Sequence, residues 1–512
     1  MKKKTALKIF GFISLVGAVS SCTLFETSSK ESTSGSSQTI TYRYFKEPTR
    51  YTMYDLNVCR EQQSLAPVGD KKILVLPITI KGYEYNATEA TRENIRKTFF
   101  GEPNETAWNS VSSFYSKSSY QAFNLEGEVA PWYDSKLTPA EIAAMGDEDQ
   151  AIGVIKVMND AVEAYRASSG SDLSEYDYDK DGFIDGIWMI YSCPNYSNMP
   201  SLPHTSFWAY TFWDIHAKAD PAKPTPKAFC WASYDFMYDG YGSIGNKCLD
   251  AHTYIHETGH LFGLEDYYDY NGKCAPMGGI DMMDYNIIDH NAFSKYLFGW
   301  VEPFIIEDEG SLYLKPSSST GECALIPTKS HWNGSVFDEY LLLEYYTPTD
   351  LNLKDSTLRY KNCPLGFTEN GVRIYHVDAR LCKMPFYGSR VKTEYVDDIV
   401  KETDMVDNYY TNIAHTNTPT SDRGQTRNHM NEQYRLVQEM DCTKRRNFAN
   451  QKSYSLTADN STLFQKGDIF TFEKYASSFP NGTTMNDGTT FDWEITIGNM
   501  TNDGVEITFT EI

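Results

Sequence analysis

HETGHLFGLEDYYD, residues 256–269, is the stretch from which the rest of the chain is best read. His256 and His260 stand four apart, so on a helix both imidazoles leave the same face. At that spacing both rings can reach one metal ion at about 2.0–2.1 Å. Glu257 leaves the helix about 100° further round, beside the ion rather than on it. From there it can take a proton from a water.

Histidines and glutamate so spaced form the HExxH arrangement of zinc-dependent proteases. A catalytic zinc needs a third protein ligand and an open position. One common place for that ligand is a glutamate on a second helix downstream. No Glu occurs between Glu265 and Glu302, which leaves that arrangement without a candidate. The other solution breaks the helix with a glycine. Gly263 can reverse the chain without a Cβ penalty, and Asp266 then faces the ion, giving HExxHxxGxxD. Glu265 and Asp269 are close rivals. HExxH alone arises by chance in structural helices; the glycine and the acidic third ligand make it specific.

DYDKDGFID (Asp177–Asp185) is a second cluster of possible ligands. Asp177, Asp179 and Asp181 alternate, Gly182 permits a sharp turn, and Asp185 follows four after Asp181. This matches the first part of a calcium-binding loop. The closing glutamate is absent, since Trp188 holds that place, so it is no EF-hand. The plain alternative is a solvated acidic turn. Four carboxylates this close repel one another without a cation, which favours structural Ca2+.

The chain has 512 residues and a net charge of −23, which argues against a nucleic-acid partner. Residues 1–21 read as a lipoprotein signal peptide: MKKK supplies positive charge, and Ile9–Val19 is too short to span a bilayer. VSSC ends at Cys22, where lipidation would anchor the chain in a membrane. The expected location is the bacterial cell envelope, on the cell surface or the periplasmic face. Residues 22–45 are a Ser/Thr-rich tether. No other run of 18 apolar residues occurs. Nine further cysteines could form disulfides in an exported protein, with at least one left over.

The expected fold class is α+β. Residues 46–305 mix strands and helices: KKILVLPITI (Lys71–Ile80), GFIDGIWMIYS (Gly182–Ser192) and AFCWASYDFM (Ala228–Met237) as strands, Cys248–Leu264 as a helix. In residues 151–165, Ile152, Ile155, Met158, Val162 and Tyr165 recur at helical spacing. Residues 306–512 form a β-rich C-terminal region, expected as a sandwich.

Together these segments resemble the immune-inhibitor-A type of secreted bacterial zinc metalloproteases. The matching stretches are KILVLPITI, Ser110–Tyr133, DYDKDGFIDG, HETGHLFGLED, GWVEP (Gly299–Pro303), EYLLLEYY and GVRIYHVD. The resemblance implies a metzincin-like catalytic domain, a mixed twisted sheet with the active helix beneath. It implies His256, His260 and Asp266 as Zn2+ ligands and Glu257 as general base. In that superfamily a methionine in a tight turn lies under the zinc. Within PMGGIDMMDYN (Pro276–Asn286) that is Met283, with Met282 the alternative. Tyr285, two further on, could stabilise the oxyanion or simply pack. The substrate would be a protein or peptide extended along a sheet edge, with Ala228–Met237 the candidate edge. The rival from another class is a non-catalytic surface lipoprotein that keeps a metal for structure.

Overall fold

The run KKILVLPIT becomes strand β1 (Gly69–Thr79), whose last seven residues are all buried. This computed structural model describes residues 50–60, 65–146, 151–204, 206–240, 248–328, 332–385, 392–399, 409–418, 430–449 and 457–512. The expected signal peptide, Cys22 and the expected tether lie outside the described residues. Strands β2 (Phe123–Val129) and β3 (Ile187–Tyr191) pair in parallel on either side of β1. Beyond them come β4 (Tyr210–Trp213) and β5 (Ala228–Ser233), in the order β2-β1-β3-β5-β4.

Only β4 runs antiparallel, on the outer side of β5. This corrects the expected edge: Ala228–Ser233 is an interior strand, fully buried, and among the described residues Tyr210–Trp213 ends the sheet beyond it. The strand also stops at Ser233. Its hydroxyl accepts the Asp235 N–H and turns Tyr234–Tyr238 into a 3-10 helix.

Strand alternation splits the core in two. Ile73, Val75, Trp188 and Cys230 face one side, and Leu74, Leu76, Met189 and Trp231 the other. Helices α1 (Met53–Cys59), α2 (Glu89–Phe100) and α3 (Val111–Ser118) pack on the first side. Helix α4 (Ile152–Ser169) covers the second. Its buried stripe is rotated from the expected one: Ile152 is 54 % exposed, while Val154, Val157 and Ala161 join Met158, Val162 and Tyr165 inside.

The C-terminal region holds a five-stranded sheet, ordered Val437–Glu439, Gly371–Asp378, Glu339–Tyr346, Cys323–Pro327 and Phe304–Ile305. A four-stranded antiparallel sheet includes Trp493–Thr501 and Gly504–Glu511. Leu341 and Ile374 of the first share one apolar cluster with Ile495 and Ile507 of the second. The architecture is α+β with several sheets. This region reaches back to the segments flanking Met282–Tyr285: Arg373 donates to the Ile280 carbonyl at 2.9 Å, and Asp355 accepts the Ile288 N–H at 2.7 Å. Among the described residues no two cysteines are joined, so the permitted disulfides are not formed there. Among the described residues no helix is long and apolar enough to cross a membrane.

Candidate metal centre

Helix α5 (His252–Leu261) carries the histidine pair. It starts later than expected, because the Asp250 carboxylate accepts the His252 N–H at 3.1 Å and sets the first turn there. The helix lies under the sheet: Tyr254 donates to the Ser233 carbonyl at 2.7 Å, and Trp188 to the Thr258 hydroxyl at 3.1 Å. The chain reverses just after the helix at Gly263, whose φ of 101° is open to glycine alone at low cost. Asn57 of α1 packs into the same reversal, donating to the Phe262 carbonyl at 3.1 Å.

The reversal brings Asp266 back to the histidines. His256 Nδ1 donates to the Met282 carbonyl at 2.8 Å, and His260 Nδ1 to the Leu264 carbonyl at 2.7 Å. Both protons are thereby fixed on Nδ1, which leaves the two Nε2 atoms as lone-pair donors 3.2 Å apart. Asp266 Oδ1 lies 2.9 Å from one and 3.3 Å from the other. That oxygen is buried and accepts no hydrogen bond. Three lone-pair atoms converging at such separations, with no proton between them, fit a shared cation.

Without a cation the cluster must recruit protons. Burial opposes an imidazolium at His260, yet the adjacent Asp266 carboxylate overrides it and lifts the group to about 10. Burial likewise opposes the Asp266 charge, and the two imidazoles hold it well below the usual carboxylate range.

The rival acids are engaged otherwise or stand apart. Asp269 is buried and accepts N–H groups from Asn271 and Lys273 at 3.1 and 2.9 Å, so it closes its own turn. Glu265 lines the cleft but is not gathered with the histidines. Glu257 is 6 % exposed and also stands off the ligand cluster. Its Oε2 accepts from the Thr211 hydroxyl at 3.1 Å, which ties it to edge strand β4. Burial raises its carboxyl pKa, a direction that suits a group meant to accept a proton.

Helix α6 (Met282–Tyr285) forms the floor. A Cβ on Gly259 would stand 2.7 Å from Met283 Sδ, so that sulfur packs directly against the histidine helix. Met282 contributes its carbonyl to His256. Tyr285 is half-buried in the wall of the cleft and packs against Gly279.

The cleft measures about 950 Å³ and runs past all of these groups. Three of its parts were missed in the sequence. Arg60, at the end of α1, lines one side. Tyr360, Lys361 and Cys363 come from the C-terminal region, Lys361 paired with Asp239 at 3.0 Å. Asp284 sits beside Met283, 5 % exposed. Its Oδ2 accepts the Gly279 N–H at 2.9 Å, Oδ1 has no partner, and burial pushes its carboxyl up to about 7. The only available signal for Asp284 was adjacency to the methionine turn.

No family's sequence model matches this chain, and no curated protein matches it.

The acidic loop is gathered as well. Asp177, Asp179, Asp181 and Asp185 each offer an oxygen within 4.8 Å of the others. Asp177 and Asp185 are buried, and Asp177 Oδ1 has no hydrogen-bond partner. Backbone N–H groups of Gly182, Phe183 and Tyr178 orient Asp177, Asp181 and Asp185 at 3.1, 2.9 and 3.0 Å. Burial pushes Asp181 up to about 6 and Asp185 to about 8, with the neighbouring carboxylates adding to it. Oxygen-only donors of this kind suit a hard cation. The strand expected to follow directly is split into Phe183–Ile184 and Ile187–Tyr191.

Proposed function

We propose that this chain is a zinc metalloendopeptidase with a metzincin-like catalytic domain and a C-terminal sandwich, held at the cell envelope by lipid on Cys22. The observation that carries this is the convergence of His256 Nε2, His260 Nε2 and Asp266 Oδ1 in an open cleft, with buried Glu257 beside them. These three residues would hold Zn2+. When bound, zinc supplies Lewis acidity, polarising a carbonyl and bringing the pKa of water toward about 7.

Glu257 then has the protein's share of the proton transfer. Its carboxylate accepts a proton from water as oxygen attacks the peptide carbonyl, and returns that proton to the leaving amine. The Thr211 hydroxyl holds the carboxylate toward the cleft. Among the described residues Tyr210–Trp213 ends the sheet, paired antiparallel with Ala228–Ser233 on its inner side, and an extended peptide would lie along its outer side. Tyr285 in the wall is the candidate to steady the developing oxyanion. The acidic loop would hold Ca2+ for stability. A non-catalytic metal lipoprotein has no use for a buried glutamate set beside three ligands.

The test is a peptide-library digest with wild type and Glu257→Gln, read by mass spectrometry, with zinc measured in both. Wild type should cleave; the variant should keep about one zinc per chain and lose cleavage. Activity in the variant at a tenth of wild type or more would overturn the mechanism. Fatty-acid labelling that is lost in Cys22→Ser tests the anchor.

A further inference from the structure

Each histidine of the metal cluster has its outer nitrogen held by a backbone carbonyl, Met282 for His256 and Leu264 for His260. The third ligand needs such a hold more than they do. The last torsion of an aspartate is broad and roughly two-fold, so a free carboxylate can turn either oxygen toward an ion. Asp266 Oδ1 is the oxygen that lies 2.9 and 3.3 Å from the two Nε2 atoms. The other oxygen, Oδ2, accepts the hydroxyl of Tyr270, four residues further on. Tyr270 lines the cleft beside the ligands.

Tyr270 is 40 % exposed, so burial alone does not fix its ring. Its backbone is fixed from the C-terminal region. Thr418 Oγ1 accepts the Tyr270 N–H at 3.0 Å and donates to the Tyr268 carbonyl at 3.0 Å. Asn417 Nδ2 donates to the Tyr267 carbonyl at 2.9 Å and to the Val437 carbonyl at 2.9 Å, and its Oδ1 accepts the Val437 N–H at 3.2 Å. Both side chains are buried, and Val437 belongs to the five-stranded sheet. The C-terminal region thus grips the chain at Tyr267, Tyr268 and Tyr270, directly after the third ligand.

We propose that Tyr270 is a positioning residue for Asp266: its hydroxyl holds Oδ2 so that Oδ1 faces the two histidines, and Asn417 and Thr418 hold Tyr270 in place. This rests on the metal reading of the site and gives the C-terminal region a part in building it. Tyr270 acts through Asp266 and need not touch the reacting atoms. Outer partners of metal ligands are worth about 10–100-fold in metal affinity.

The test measures zinc affinity of the full chain by competition with a chromogenic chelator. Co2+ bound in place of zinc is read by its visible absorption, which follows the geometry of the ligands. Tyr270→Phe keeps the ring and removes the hydroxyl. It should weaken zinc binding about tenfold or more and change the Co2+ band. Thr418→Val keeps the side chain's shape and removes its hydrogen bonds, and should move both readouts the same way by less. Adding it to Tyr270→Phe should cost little more, since the two act along one route. Tyr345→Phe is the control. It deletes a hydroxyl that donates to the Thr501 carbonyl at 2.7 Å, between the two C-terminal sheets, and should bind zinc as wild type does. Wild-type affinity and an unchanged band in Tyr270→Phe would overturn the positioning role. An equal loss in Tyr345→Phe would overturn it too, by assigning the effect to the fold at large. Full affinity in Thr418→Val would remove the C-terminal region from the proposal. A wild-type chain that takes up neither zinc nor Co2+ would sink the metal reading itself and the proposal with it, an outcome visible before any substitution is made.

Discussion

His252 Nε2 stands 3.2 Å from Asp355 Oδ1, joining the first turn of the histidine helix to the C-terminal region. The other ring nitrogen meets Asp250, and Tyr360 stacks on the imidazole at 4.2 Å. Asp355 also takes the Trp108 indole N–H at 2.6 Å. Burial opposes an imidazolium here, but the two carboxylates override it and lift His252 to about 10. The folded value is thus raised above the unfolded one, about 6.5. Stability from this group is complete below about 6.5 and is lost as pH rises through about 10. His252→Asn should cost about 3–5 kcal/mol at pH 6, as expected for breaking a buried pair. The gap between wild type and variant in thermal or urea unfolding should narrow toward pH 10. A gap that is constant with pH would show that His252 is neutral in the fold.

Asp266 and Glu265 are adjacent in sequence, yet only Asp266 meets the histidines. Asp266→Ala should lose zinc and activity together. Glu265→Ala should keep its zinc. Metal analysis after dialysis against a fixed free-zinc buffer decides it; the reverse pattern would reassign the third ligand.

Gly263 has φ of 101°, and a Cβ there would come within 2.1 Å of Asn57 Nδ2. Gly263→Ala should therefore destabilise by about 1–3 kcal/mol from backbone strain. It should also weaken zinc binding, because the same reversal delivers Asp266. Adding Asn57→Ala removes the collision but not the strained φ, so the double variant should be less destabilised than the sum of the two singles. Strict additivity in urea unfolding would show that the contact with Asn57 does not matter.

Much of this site could be read from local spacing. Two histidines four apart, a glycine three later and an aspartate three after that are properties of one short segment, and helix geometry alone relates them. The acidic loop is equally local. What local pattern could not carry was long-range pairing. Ala228–Ser233 reads as an edge only until Tyr210–Trp213 folds back antiparallel beside it. Arg60, Asp355, Tyr360 and Lys361 reach the cleft or its helix from opposite ends of the chain, and nothing in their neighbours' spacing announces it. Asp284 lay inside a segment already singled out, but a buried carboxylate beside a methionine looks like an ordinary polar turn until its hydrogen bonds are counted. Cysteine count and the expected export signal permit disulfides, but which cysteines meet is a long-range property, and among the described residues no two are joined.

The acidic loop leads to the last prediction, because it touches the helix that packs beside the histidine helix of the candidate metal centre. Tyr54 of α1 donates to Asp179 at 2.7 Å, and Asn57, one turn later on the same helix, bonds to Phe262 beside Gly263. The loop offers only oxygens, two of its acids are buried, and one buried oxygen is unpartnered. Calcium bound only by the folded state adds RT ln(1 + [L]/Kd) to stability, about 2.7 kcal/mol at a hundredfold excess over Kd. A calcium-selective chelator should lower the melting temperature while zinc remains bound. Asp179→Asn with Asp181→Asn should remove the calcium response. Below neutral pH the response should fade in wild type as well, since burial raises Asp181 to about 6 and Asp185 to about 8, and protonated acids are poor ligands. Tyr54→Phe should leave calcium binding in place but loosen α1, seen as faster amide exchange at Met53–Cys59. A melting temperature indifferent to the chelator, with zinc confirmed present, would make the loop a solvated acidic turn and remove calcium from the protein.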